Sequence, residues 1–285
     1  MRFLRFEQEG RKGIAVNEGD SWHGLCESEA VFAADIGVIA AMHAEQRARA
    51  IDDLQSGPAI DDSAVTFLPP CAQPGKIICL GLNYRDHAHE FDFKPPDYPT
   101  LFARFASSLI GHGQPLVRPR VSGDLDYEGE LAVILGRGGR HIAEQEALDH
   151  VFGYTVFNDA SVRDYQMRTP QWTIGKNFDG TGAFGPVLVT ADELPPGAAG
   201  LMLETRLNGK VMQRASTSDM IFSVAQTIAI LSEAITLAAG DVIVMGTPSG
   251  VGYARKPPVY MKAGDVCEVE IERIGTLRNV VVDER

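Results

Sequence analysis

Glu128 and Glu130 stand two residues apart in the run Asp126-Tyr-Glu-Gly-Glu-Leu-Ala-Val-Ile-Leu135. In an extended strand, residues i and i+2 point to the same face. Both carboxylates therefore emerge side by side from one end of an apolar strand. Left alone, two such charges repel by roughly 3–4 kcal/mol at an effective dielectric of about 20. A cation between them turns that repulsion into binding energy. A second apolar run, residues 153–158, leads into Asp159, which can supply a third oxygen. Three carboxylates without Cys or His suit a hard ion such as Mg²⁺ or Mn²⁺, with water or substrate oxygens completing its shell. A Glu-x-Glu pair taken alone is also compatible with a solvated strand edge, and composition does not decide between the two.

The elements that must position these residues can be read from pattern. Residues 1–70 form a small N-terminal α/β module. It has strands over 2–6 and 13–16 around a polar turn, helical spacing over 36–54, and a short strand over 64–68. Three prolines and a glycine in Pro69-Pro-Cys-Ala-Gln-Pro-Gly75 set the boundary, so the expected domains are 1–70 and 71–285. Beyond it, strands are expected over 77–82, 131–135, 153–158, 184–190, 203–207, 241–245 and 266–271. Asn208-Gly209 is a tight hairpin turn leading into 211–213. Helices are expected over 144–150 and roughly 220–238, the second with Ser218 or Asp219 as N-cap and Gly240 as its stop. The polar, aromatic stretch 83–98 ends in Lys94-Pro-Pro-Asp-Tyr-Pro99 and reads as a loop or lid. Many strands, few helices and no regular βαβ alternation argue for a β-rich α+β fold.

The 285 residues suit one large domain, or one domain with a small appendage. A net charge of −12 argues against a nucleic-acid or anionic-membrane surface, since both need a positive field. It is compatible with a small anionic substrate, because one metal ion and a few basic side chains reverse the field locally. The cysteines Cys26, Cys71, Cys79 and Cys267 form no CxxC pair and fit a reducing compartment. The start is charged within five residues, and no run reaches signal-peptide or membrane-span length. A cytoplasmic protein is expected.

Five blocks together resemble the fumarylacetoacetate hydrolase superfamily. They are Ile78-Cys-Leu-Gly-Leu-Asn-Tyr-Arg-Asp-His87-Ala-His-Glu90, the Asp126–Leu135 run, Phe157-Asn-Asp-Ala-Ser-Val-Arg-Asp164, Gly175-Lys-Asn-Phe-Asp179, and Gly240-Asp-Val-Ile-Val-Met-Gly-Thr247-Pro-Ser-Gly-Val-Gly252. They follow the family's order over residues 75–285, about three quarters of the chain. Within it the chain resembles acylpyruvases and 2-hydroxyhepta-2,4-diene-1,7-dioate isomerase-like bacterial members. The resemblance implies a mixed β-roll catalytic domain, a homodimer, and Mg²⁺ or Mn²⁺ held by Glu128, Glu130 and Asp159. It also implies a substrate among 2-oxo and 2,4-dioxo acids.

With a 2,4-dioxo acid, cleavage between C3 and C4 leaves an enolate, which a metal stabilises as a Lewis acid. Hydrolysis also needs a base for water. His87 and Glu90 are three apart and share a face on a short helix, so Glu90 can orient the imidazole while His87 takes the proton. The resemblance makes this pair the hydrolytic dyad, carried on a lid. It also implies that Lys176 stabilises the developing oxyanion and that Thr247 touches the substrate carboxylate. Arg163 and Gln166 share a turn after Asp159 and are expected to position substrate, with Arg163 meeting either a carboxylate or an acidic neighbour. Tyr84, Phe91 and Phe93 are expected either to wall the substrate or to serve as packing anchors, and Arg104 to reach a distal carboxylate.

The leading expectation is a metal-dependent C–C bond hydrolase of a small acylpyruvate or diketo sugar acid. The rival on the same scaffold is a decarboxylase, an isomerase or an oxaloacetate tautomerase. A reading of another class is a non-catalytic metal-containing protein that binds a metabolite.

Overall fold

The computed structural model describes residues 1–19, 21–29, 34–86 and 97–285. In chain order the first strands are β1 (Arg2–Gln8), β2 (Arg11–Glu18), β3 (Ser21–Cys26), β4 (Ala59–Ile60) and β5 (Thr66–Phe67), with helices α1 (Ile36–Ala41) and α2 (Ala44–Gln55) after β3. Next come β6 (Ile77–Gly81), β7 (Thr100–Ala103), β8 (Leu109–Ile110), β9 (Leu116–Arg118) and β10 (Leu125–Asp126). The central segment holds β11 (Gly129–Leu135), β12 (Val151–Asp159), β13 (Ser161–Val162), short helices α3 (Arg163–Gln166) and α4 (Thr173–Lys176), and β14 (Gly182–Thr190). The last part is β15 (Met202–Leu207), β16 (Lys210–Ser216), α5 (Val224–Ala234), β17 (Val242–Val244), β18 (Val266–Ile271) and β19 (Gly275–Asp283). This is the β-rich α+β architecture expected.

Among the described residues the main sheet has twelve strands, running β4-β3-β2-β1-β14-β12-β11-β17-β6-β7, with β5 on β1 and β8 on β14. A five-stranded sheet runs β16-β15-β18-β19-β9. The continuous apolar run of β11 follows from burial on both faces, which removes the usual polar alternation. Leu131, Val133 and Leu135 pack with Leu203, Val269 and Ile271 of the second sheet. Ala132 and Ile134 face the other way, toward Ile36, Ile39 and Leu54 of α1 and α2. Glu130 has the parity of Ala132, so it lies at the end of the helix-covered face. No described helix is long and apolar enough to cross a membrane.

The N-terminal strands join the main sheet directly, because β1 pairs antiparallel with β14. We propose that the division between 1–70 and 71–285 is one of sequence modules within this continuous sheet.

Several elements differ from expectation. The long helix is α5, and it starts later: Ser223 is the N-cap, with a reciprocal capping box to Gln226. Asp219 instead closes a capping box with Ser216 over the short 3₁₀ turn Thr217–Asp219. The helix ends at Ala234 because Leu237 exchanges two backbone hydrogen bonds with Gly139, which pulls the chain into an extended bridge. The helical pattern over 36–54 is broken at Met42 and His43, both extended.

Candidate metal centre and active site

β11 and β12 bring the three acids together. Gly129 lies opposite Asn158 and Glu130 opposite Phe157 in an antiparallel register. Glu128 extends the ladder: its carbonyl accepts from the Asp159 N–H at 2.9 Å. Its own N–H donates to Asn158 Oδ1 at 3.0 Å. The glycine between the glutamates is required by packing, since a Cβ there would lie 2.2 Å from Thr205 Oγ1 on the second sheet. Glu128, Glu130 and Asp159 are all buried, and one oxygen from each lies within 4.8 Å of the others.

Buried cations surround this cluster. Lys176 Nζ donates to Glu128 Oε2 and Asp159 Oδ2, both at 2.6 Å. Arg163 pairs through Nη1 with Glu128 Oε1 at 2.6 Å and through Nε with Asp126 Oδ2 at 2.8 Å. Arg104 Nη1 pairs with Asp159 Oδ1, and its Nη2 donates to Thr181 Oγ1 at 2.7 Å. Glu130 accepts from the Gly246 N–H at 2.5 Å.

Burial, and then the charges of Asp159 and Glu128, hold the Glu130 carboxyl well above the usual carboxylate range, and Lys176 and the Gly246 N–H only partly offset this. Burial would lower the Lys176 ammonium, but Asp159 and Glu128 outweigh it and raise it above its ordinary value. Burial likewise raises Asp126 despite Arg163 and the Tyr253 N–H. An all-oxygen donor set in which one carboxylate stays electrostatically undercompensated fits a hard divalent cation.

A cavity of about 240 Å³ opens onto the cluster, lined in part by Glu128, Glu130, Arg163, Gln166, Lys176 and Thr247. Its apolar wall includes Leu80, Leu82, Phe102, Met167, Trp172 and Tyr253. Phe102 and Trp172 meet edge to face with centroids 5.6 Å apart, and Lys176 Nζ lies 4.8 Å from the Phe102 ring centre. Gly81 makes room for the indole, because a Cβ there would fall 2.3 Å from Trp172. Among the described residues, Arg163 Nη2 is buried without a hydrogen-bond partner. An orphaned guanidinium nitrogen beside a cavity is suited to an anionic oxygen. Gln166 Oε1 accepts from Arg163 Nη1 at 2.8 Å. Thr247 Oγ1 donates to the Gly129 carbonyl at 2.9 Å and accepts from Gln213 Nε2 at 2.8 Å.

Of the residues singled out in the sequence, Glu128, Glu130, Asp159, Lys176, Arg163, Gln166 and Thr247 thus converge. His87 and Glu90, with Phe91 and Phe93, lie outside the described residues. Tyr84 is packed in the apolar core, bridged to the Met220 backbone, and is absent from the described cavity lining. Arg104 does not face a distal carboxylate as expected. Its buried head is spent on Asp159, Thr181 and Ser108.

Sequence reading passed over Asp126, which accepts from Arg163 and from the N–H groups of Gly252 and Tyr253, both at 2.8 Å. It also passed over Gln213, whose Oε1 accepts from the Gly129 N–H at 3.0 Å. An aspartate two residues before a glutamate pair offers a signal for the first. Nothing local marks the second.

A buried carboxylate cluster backed by a lysine and two arginines, open to a cavity of small-molecule size, defines a candidate centre for small anionic compounds. The chain belongs to the fumarylacetoacetate hydrolase family: the family model described as fumarylacetoacetate (FAA) hydrolase C-terminal matches residues 76–282. It is 44% identical over 227 residues to the Homo sapiens protein "Oxaloacetate tautomerase FAHD2A, mitochondrial", covering 79% of this chain and 72% of that one. Among solved structures, the fumarylacetoacetate hydrolase of Exiguobacterium antarcticum superposes with a TM-score of 0.87 at 39% identity, covering 100% of both chains. Maleylpyruvate hydrolase of Sphingobium sp. SYK-6, solved with manganese (II) ion and pyruvate, superposes with a TM-score of 0.82 at 29% identity, again over 100% of both chains.

Proposed function

We propose that this chain is a Mg²⁺- or Mn²⁺-dependent enzyme acting on the enol or enolate of a small 2-oxo acid, with keto–enol tautomerisation of oxaloacetate as its leading reaction. The observation that carries the reading is the orphaned Arg163 Nη2 in the same cavity as Lys176 and the three carboxylates. The 44% identical oxaloacetate tautomerase supports the choice of reaction. Glu128, Glu130 and Asp159 would hold the ion, which when bound supplies Lewis acidity at the 2-oxo group. Arg163 and Thr247 anchor the substrate carboxylate, and Gln166 fixes the guanidinium plane. Lys176 remains protonated between its two acids and offers fixed positive charge to the oxygen that bears the negative charge of the enolate form. The apolar wall excludes water from that charge. The working unit is a cytoplasmic homodimer.

A second reading is C–C hydrolysis of a 2,4-dioxo acid such as an acylpyruvate. It is favoured by the His87-x-x-Glu90 motif, which supplies a base for water, and by the likeness to maleylpyruvate hydrolase. The deciding experiment measures oxaloacetate enol–keto conversion and acylpyruvate cleavage with Mg²⁺, with Mn²⁺ and after chelation. Tautomerisation that exceeds cleavage supports the first reading. Efficient cleavage that is lost in His87→Ala and Glu90→Ala, with metal binding retained, supports the second. No turnover of any 2-oxo acid by folded, metal-loaded protein would overturn both in favour of a binding protein.

A further inference from the structure

Asn83 is fully buried and does not line the cavity, yet it is hydrogen-bonded to the peptide segment that touches Glu130. It follows Leu82, a cavity residue held in the left-handed region at φ 56°. The Asn83 side-chain amide donates to the Met245 carbonyl at 2.7 Å and to the Phe222 carbonyl at 3.1 Å. Its Oδ1 accepts from the Phe222 N–H at 2.8 Å, and its backbone carbonyl accepts from the Ile221 N–H at 2.7 Å. One side chain therefore joins the end of β6, the turn before α5 and the end of β17.

The Met245–Gly246 peptide bears the N–H that donates to Glu130 Oε2 at 2.5 Å. Gly246 sits at φ 88°, and a Cβ there would lie 2.8 Å from Asn83 Cβ. The next residue, Thr247, is fastened to the Gly129 carbonyl between the two glutamates. The peptide is thus gripped by Asn83 on one side and by β11 on the other. A shift of Met245 moves the donor that orients Glu130.

We propose that Asn83 is a positioning residue for the metal centre, setting the orientation of Glu130 through the Met245–Gly246 peptide. The inference rests on the reading of Glu128, Glu130 and Asp159 as a divalent-cation site. Groups that orient a ligand from behind commonly change metal affinity when removed. Leucine at position 83 keeps the branched four-atom skeleton, though its methyls are bulkier, and it strands the Met245 and Phe222 carbonyls. A purely structural role would lower stability without changing affinity in the folded protein.

The test measures Mn²⁺ affinity by electron paramagnetic resonance of the free ion, well below each variant's melting temperature. Wild type, Asn83→Leu, Gly246→Ala and Ile228→Ala are compared. Ile228 is a buried core residue of α5 with no side-chain hydrogen bond to offer, so it reports destabilisation alone. Asn83→Leu and Gly246→Ala should bind Mn²⁺ about 10-fold or more weakly, with Ile228→Ala matching wild type. Gly246→Ala carries the test if Asn83→Leu does not fold. Unchanged affinity in the folded variants, or an equal loss in Ile228→Ala, overturns the role of Asn83 while leaving the metal reading intact. A wild type that binds no Mn²⁺ overturns the metal reading itself, and the inference with it.

Discussion

Replacing Lys176 with methionine removes the charge but keeps most of the side-chain volume. Lys176 is 2% exposed and makes two 2.6 Å contacts to carboxylates that are themselves buried. Breaking a buried ion pair by deleting one partner leaves an uncompensated charge and costs about 3–5 kcal/mol. For a chain of this length, at roughly 2 °C per kcal/mol, the metal-free Lys176→Met variant should melt about 6–10 °C below wild type. Differential scanning calorimetry after chelation measures this directly. A divalent ion draws on the same carboxylates and should restore part of the lost stability. At a concentration near one hundred times its Kd, binding adds about 2.7 kcal/mol. The stabilisation by Mn²⁺ should be at least as large in the variant as in wild type, because the competing ammonium is gone. A metal-free variant that melts within a degree of wild type would refute this account of the charge balance. So would a variant that Mn²⁺ stabilises less than wild type.

Gly129→Ala should destabilise the fold by about 1–3 kcal/mol through overpacking against Thr205 Oγ1 and Val269 Cγ1, and denaturant titration measures the change. His112 accepts from the Arg278 N–H at 3.1 Å and packs at a tilt against Phe67, with ring centres 5.0 Å apart. Burial, aided by the Arg278 charge, holds its pKa below the ordinary 6.5. The unfolded chain then binds the proton more readily, so this share of stability is full above 6.5 and is lost as pH falls through the lower folded value. Unfolding titrations above and below 6.5 should show His112→Gln losing less stability on acidification than wild type, and equal losses would remove His112 from the explanation.

The parts of the site legible in the sequence are those carried by local pattern. The alternation rule placed Glu128 and Glu130 together, and the apolar run before Asp159 placed the third acid at the end of a neighbouring strand. The Asn208-Gly209 turn adopts the two positive φ values that such a hairpin needs, 52° and 76°. What pattern did not carry was long-range. Arg104 reads as a pocket cation, but the short edge strand β7 delivers it behind Asp159. Asn83 and Gln213 act through backbone atoms about 160 and 80 positions away, and no local periodicity encodes such contacts. Strands such as β3 and the edge strand β7 were missed because short, partly exposed segments lack the apolar contrast that marks β11 and β12. The end of α5 was misplaced because a backbone bridge to Gly139, rather than Gly240, draws the chain out of the helix.

The central claim is that divalent-cation binding by Glu128, Glu130 and Asp159 carries the chemistry. Titrating chelator-treated protein with Mn²⁺, while following oxaloacetate enol–keto conversion in the same sample, tests it most directly. The account predicts one Mn²⁺ site per chain, activity that rises in step with its occupancy, and loss of both in Glu130→Gln. Full activity in metal-free protein, or a Glu130→Gln variant that binds Mn²⁺ and turns over as wild type does, would contradict it.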